Sequence, residues 1–122
     1  MSNAISSSGA KPPKKLFQVA TAANGAIANS LAPGAAFRLL EVRLKINTAG
    51  TTSEAFTITL NAGDGAAYDT LLLTQNTKVP AITDLVVPFG NGYEFEADDV
   101  LDCAWPNTEN RTYGLTWVYE YI

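Results

Sequence analysis

The chain has 122 residues with 12 acidic and 8 basic side chains, no histidine and one cysteine. This length suits one domain, because a domain of this size buries roughly two thirds of the surface that its unfolded chain exposes. The lone cysteine excludes an intramolecular disulfide, and the lack of histidine excludes serine triads and histidine-based zinc sites. No apolar run approaches the length of a membrane-spanning helix, and the polar first residues lack the pattern of a signal peptide.

Residues 1–15 predict an extended N-terminal arm, because they are mostly Ser, Ala, Gly, Pro and Lys. Ile5 is the only aliphatic anchor of this arm beyond Met1, and three lysines give it a charge of +3. The rest of the chain carries 5 basic and 12 acidic side chains, a net charge of −7. An acidic domain disfavours nucleic-acid binding, which needs clustered Lys and Arg. The assembly candidates of the arm are Ile5, Lys11, Lys14 and Lys15.

Beyond the arm, apolar and polar residues alternate with the period of two that is typical of half-buried strands. The clearest strand has one apolar face and one charged face: Leu40, Val42, Leu44 and Ile46 against Glu41, Arg43 and Lys45. A turn at residues 50–53 predicts that this strand forms a hairpin with residues 56–60. Further strands are predicted at residues 17–20, 25–31, 68–74, 84–87, 93–96, 100–105 and 111–121.

Turn-forming dipeptides divide these strands. Asn24-Gly25, Asp64-Gly65 and Asn91-Gly92 predict chain reversals, as do Pro33-Gly34 and Pro106-Asn107. The alanines of residues 20–32 also allow a short helix, although Gly25 and the β-branched residues favour a strand. Eight or nine short antiparallel strands predict a two-sheet β-sandwich spanning residues 16–122, a jelly roll of about eight strands, with an immunoglobulin-type sandwich as the alternative.

Several acidic residues are close together in the sequence, and paired carboxylates can bind calcium or hydrolyse glycosides. The group comprises Glu94, Glu96, Asp98, Asp99 and Asp102. Alternation with Tyr93 and Phe95 predicts that the glutamates face solvent while the rings enter the core, and the paired aspartates suit a turn. Segment 61–69 likewise predicts a hairpin turn rather than a calcium loop. The sequence therefore predicts no catalytic, cofactor or metal site.

Cys103 lies in an apolar alternating run, which predicts a buried structural thiol. The last strand is richer in aromatic residues. Its residues 113, 115, 117, 119 and 121 share one face, which we expect to join the core, while Val118 and Ile122 lie on the other face. The second face is more apolar than a solvated strand needs, so it is a subunit interface, a covered sheet edge or the surface of a central strand. The interface candidates are Trp117, Val118, Tyr119, Tyr121 and Ile122.

Four stretches resemble small structural proteins of tailed-phage virions: AFRLLEVRLKIN (36–47), TTSEAFTITLN (51–61), GAAYDTL (65–71) and FEADDVLDCAWPNTENRTYGL (95–115). The resemblance covers about residues 34–120 and includes no catalytic motif. It implies a jelly-roll accessory protein of the virion, a capsid decoration or cement protein that is made in the host cytoplasm and binds the capsid surface. It also implies the major capsid protein or other virion proteins as partners, and a homo-oligomer, commonly a trimer.

Other functions stay open at this point. A phage tail or fibre component for attachment requires the same kind of domain. A carbohydrate-binding module requires exposed aromatic rings, for which Trp105, Trp117 and Tyr119 are the candidates. A secreted ligand usually carries a signal peptide and paired cysteines, and an enzyme needs an acid or base that strand faces and turns do not already explain. We expect a non-enzymatic protein without a cofactor.

Overall fold

The structure is a computed structural model that describes residues 17–122, with side chains from Ala23 onward. The predicted arm, including Ile5, Lys11, Lys14 and Lys15, lies outside the described residues. The described chain forms eight strands and one short 3₁₀ helix at Ala66–Tyr68. The strands are β1 (Phe17–Ala23), β2 (Ile27–Leu31), β3 (Phe37–Ile46), β4 (Ala55–Asn61), β5 (Thr70–Asn76), β6 (Asp84–Phe95), β7 (Val100–Trp105) and β8 (Tyr113–Tyr121).

The strands form two four-stranded sheets. Sheet A has the order β1-β8-β3-β6, and sheet B has the order β2-β7-β4-β5. All neighbours within each sheet are antiparallel. Consecutive strands pass from one sheet to the other except at β4 and β5, which form a hairpin. This strand order is that of a jelly roll, so the predicted eight-stranded antiparallel sandwich is confirmed.

The connections define two sides of the sandwich. Only residues 24–26 join β1 to β2, so these two edge strands lie on the same side. The other edge strands, β5 and β6, therefore lie together on the opposite side, which we call the β5–β6 side. The alanine-rich segment that allowed a helix instead forms the end of β1, a tight turn and β2.

The core lies between the two sheets and consists of the apolar residues that alternate along the strands. Phe37, Trp117, Phe56 and Trp105 are among its largest fully buried side chains. The indole N–H groups of the two tryptophans also donate hydrogen bonds inside the fold. Trp117 Nε1 donates to Asn29 Oδ1 at 2.8 Å, which links sheet A to sheet B, and Trp105 Nε1 donates to Thr77 Oγ1 at 3.2 Å.

The predicted hairpin between β3 and β4 is wrong. β3 pairs with β6 and β8 in sheet A, whereas β4 pairs with β5 and β7 in sheet B. The connection between them crosses from one sheet to the other. There the Thr51 side chain and the Thr51 and Thr52 backbone amides donate to the Glu109 carboxylate. Each strand has one apolar face, and placing the strands in different sheets lets both faces meet in the core.

The predicted reversal at Asn91-Gly92 is also wrong, because residues on both sides of it belong to the single strand β6. Pro88 pairs with Glu41 and Tyr93 pairs with Leu39 of β3, so four residues of β6 bulge opposite one residue of β3. Gly90 and Gly92 have φ values of 62° and 105°, which the bulge requires and glycine adopts without strain.

The bulge changes which side chains of β3 and β6 face the core. Leu39, not Leu40, is fully buried beside Val42, because Leu40 occupies the register shift of β3. On β6, Phe95 enters the core as predicted, but Tyr93 is 51% exposed. Strict alternation fails here because a bulge adds residues to one strand without adding them to its partner.

Candidate functional site

The predicted interface strand β8 is central in sheet A, between β1 and β3. Trp117, Val118 and Tyr119 are buried, with 0%, 5% and 7% of their surface exposed. The Tyr119 ring packs edge-on against Tyr121 at 5.9 Å. Of the five interface candidates, only Tyr121 and Ile122 therefore present much surface, 43% and 62% respectively.

The outer face of sheet A carries charges that are paired within the chain. Arg38 Nη1 donates to Glu120 Oε1 at 2.8 Å and Nη2 donates to Glu94 Oε2 at 2.9 Å. Hydrogen bonds to Glu94 and Glu120 raise the pKa of Arg38. Lys45 Nζ binds Asp84 Oδ1 at 2.8 Å and lowers the pKa of that carboxyl group. This face is thus a set of internal ion pairs rather than an open charged surface.

The acidic residues of the sequence divide into structural and solvent-facing groups. Oxygens of Glu96, Asp98 and Asp99 lie within 4.8 Å of one another, and we call these three residues the acidic loop cluster. Asp99 is buried. Its Oδ2 accepts from the Glu96 amide at 2.8 Å and its Oδ1 accepts from the Gly63 amide at 2.9 Å. Asp99 therefore closes the β6–β7 turn and ties it to the β4–β5 loop, as the prediction of a turn at this position requires.

Charge repulsion within this loop region affects Glu96. Asp64 is the largest cause, followed by Asp99 and Asp98, and together they raise the pKa of the Glu96 carboxyl group. A raised carboxyl pKa means that the folded chain binds the proton more tightly than the unfolded chain does. Ionised Glu96 therefore destabilises the fold, and this cost disappears as the pH falls below both pKa values.

We expect the substitution Glu96→Gln to stabilise the protein at neutral pH, because it removes one of the mutually repelling charges. The gain should shrink as the pH falls through the pKa of Glu96 and vanish in acid. Urea unfolding of both proteins across a pH series measures it. Glu109→Gln is the control of opposite sign, since hydrogen bonds from Thr51 lower the pKa of Glu109. A Glu96→Gln protein that is less stable than the wild type at neutral pH contradicts this account.

The side chains considered for chemistry or sugar stacking are buried. Cys103 is 1% exposed, which confirms the predicted buried thiol, and burial raises its pKa. Such a thiol does not supply a nucleophilic thiolate near neutral pH. Trp105, Trp117 and Tyr119 are buried as well, so these rings offer no platform to a sugar. The outer face of sheet B has a shallow depression of about 420 Å³, lined in part by Ala55 and Ala104.

Exposed apolar surface concentrates on the β5–β6 side, which the sequence analysis did not identify. Among the residues with described side chains, seven large hydrophobic ones are exposed, and five of these are on or beside β5 and β6: Tyr68, Leu71, Val79, Val86 and Tyr93. The remaining two are Tyr121 and Ile122. One feature of the sequence does distinguish β5 on this side: residues 71–73 form an unbroken apolar run, which departs from the alternation of the other strands.

Comparison with known proteins does not assign the chain to a family. No protein-family model matches it, and no curated protein matches it. Residues 17–122 include no helix that is long and apolar enough to cross a membrane.

Proposed function

We propose that this protein is a non-enzymatic structural component of a tailed-phage virion, a decoration or cement protein that binds and stabilises the capsid. The observation that carries an assembly role is that five of the seven exposed large hydrophobic side chains among the described residues lie on or beside the edge strands β5 and β6. Clustered apolar surface marks sites of protein contact more often than scattered apolar residues do. The virion context comes from the sequence resemblance.

The distribution of polar groups favours assembly over catalysis. The chain contains no histidine. Its cysteine is buried, and Asp99 accepts hydrogen bonds from two backbone amides. Glu94 and Glu120 form ion pairs with Arg38. Structural roles therefore account for Cys103, Asp99, Glu94 and Glu120 within the part of the chain that the structure describes.

Binding to capsids tests the proposal. Empty heads assembled from the major capsid protein of the same genome are mixed with the purified full chain and sedimented. We expect saturable co-sedimentation at a fixed ratio and a higher temperature of head disruption. Heads that sediment without the chain overturn the capsid role, and binding to purified tails instead supports the tail or fibre alternative.

The basic residues of the N-terminal segment are tested in the same assay. We expect the triple substitution of Lys11, Lys14 and Lys15 by glutamine to reduce head occupancy, because these lysines would face acidic capsid surface. Lys45→Gln, which removes a lysine of the folded domain, is the control and should bind like the wild type. Full occupancy by the triple variant contradicts a role of these lysines.

A further inference from the structure

The edge strand β5 directs backbone groups towards its outer side, where it has no neighbouring strand in sheet B. Thr77 N donates to Glu54 O at 3.0 Å, and the register continues from this pair through Asn76 and Ala55 to Thr74 and Thr57. In an antiparallel pair, residues alternate between pointing their N–H and C=O groups at the partner strand and pointing them away. Thr74 and Asn76 therefore direct their backbone groups away from β4, towards the open edge of sheet B. The Asn76 carbonyl there accepts from Gln75 Nε2 at 3.0 Å, so Thr74 is the residue on which pairing at this edge would centre.

The side chains of this edge do not block pairing with another strand. Residues 70–77 carry no charge and include no proline. The neighbouring edge strand β6 differs, because Pro88 and the bulge interrupt it and the Asp84–Lys45 ion pair lies at one end. Charges, prolines and bulges are the usual means by which edge strands avoid each other. β5 has only a one-residue irregularity, between its pairings with Ile58 and Thr59.

Groups at the two ends of β5 match each other in an antiparallel arrangement. Asp69 precedes the strand and Lys78 follows it, and both are exposed. If two copies pair antiparallel about Thr74, Asp69 of each copy lies opposite Val79 of the other and one residue from its Lys78. Asp69 Oδ1 also accepts from the Ala62 amide of its own chain at 2.8 Å, and its side chain remains exposed. Tyr68 and Val79, which are 64% and 72% exposed, also approach each other between the copies. A parallel arrangement would instead place like charges together.

We propose that β5 pairs antiparallel with β5 of a second copy of this chain, about a two-fold axis near Thr74, so that the two B sheets form one eight-stranded sheet. The contact is a strand addition in which each copy supplies the same edge. It does not depend on the virion role. It predicts a dimer, in contrast to the trimer that the sequence resemblance implies.

Molar mass in solution tests the contact first. Light scattering on the purified full chain over a concentration series should show a species of twice 13.0 kDa. A 13.0 kDa species at every concentration, or a trimer, overturns the proposal. Capsid binding is measured separately, so a failed dimer and a failed virion role are distinguishable.

Proline at position 74 tests the backbone pairing. Thr74→Pro removes the outward N–H without removing a hydrogen bond to β4, so the variant should be monomeric. Thr74→Ala keeps the N–H and is the matched control, which should remain a dimer. Circular dichroism checks that each variant is folded. A folded Thr74→Pro dimer overturns the proposal.

Charge reversal tests the orientation and does not depend on the proline variant. Lys78→Glu and Asp69→Lys each place like charges together at both ends of a dimer, so each variant alone should dimerise about tenfold more weakly. An equal mixture of the two variants restores opposite charges at both ends and should form heterodimers about as readily as the wild type forms dimers. A mixture no better than the single variants overturns the antiparallel arrangement.

Discussion

Replacing Trp117 by alanine is expected to lower the free energy of unfolding by about 4 kcal/mol, the usual range for a fully buried Trp. The side chain is 0% exposed, and its Nε1 donates to Asn29 Oδ1 on the opposite sheet at 2.8 Å. The substitution removes apolar contacts and the hydrogen bond, and it leaves a cavity between the sheets. Chemical denaturation followed by circular dichroism measures the loss.

Trp117→Phe separates packing from hydrogen bonding. Phenylalanine keeps much of the ring volume but has no N–H donor, so we expect a loss of about 1–2 kcal/mol. A Trp117→Phe protein as unstable as Trp117→Ala would show that the link to Asn29, rather than packing, dominates at this position.

Replacing Asn107 by alanine is expected to cost about 3 kcal/mol, because the side chain organises the β7–β8 connection. Asn107 is 1% exposed. Its Nδ2 donates to Gly25 O at 2.8 Å and Arg111 O at 3.0 Å, and its Oδ1 accepts from Arg111 N at 2.9 Å. The backbone also has a φ of 44°, where asparagine is tolerated better than alanine. Alanine would leave buried partners unsatisfied and add backbone strain.

Asn110→Ala is the matched control for the backbone effect. Asn110 has a φ of 53° in the same connection. We expect its replacement to cost about 1 kcal/mol, since mainly the left-handed backbone preference is lost. Urea unfolding compares the two variants. Equal losses would show that the Asn107 hydrogen bonds contribute little to stability.

The two candidate assembly surfaces are the second face of β8 and the β5–β6 side, and the sequence indicates only the first of them. The sequence favours the apolar second face of β8 as an interface, but Val118 on that face is buried. Of the five interface candidates, only Tyr121 and Ile122, at the end of the strand, are exposed. The sequence does not identify the β5–β6 side because Leu71 and Val86 belong to edge strands of two different sheets. Leu71 and Val86 lie on the same side of the sandwich because the chain crosses from sheet B to sheet A between β5 and β6.

Local sequence patterns predicted most strands, and they failed where pairing between distant strands decides the outcome. The Thr57 and Thr59 alternation located β4 correctly, but alternation does not identify the partner of a strand. The Asn91-Gly92 pair has the composition of a tight reversal, yet β3 pairs with residues on both sides of it. A glycine allows positive φ in either a turn or a bulge, so composition alone does not distinguish the two.

Composition and the period-two alternation are enough to predict the all-β class, the approximate strands, the buried position of Cys103 and the lack of histidine chemistry. Both are local properties of the chain. The tertiary structure is needed to show that β3 and β4 lie in different sheets, that Asp99 joins the β6–β7 turn to the β4–β5 loop, and that β5 is an open edge. These depend on contacts between residues far apart in the chain, which form where apolar faces from both sheets are buried together.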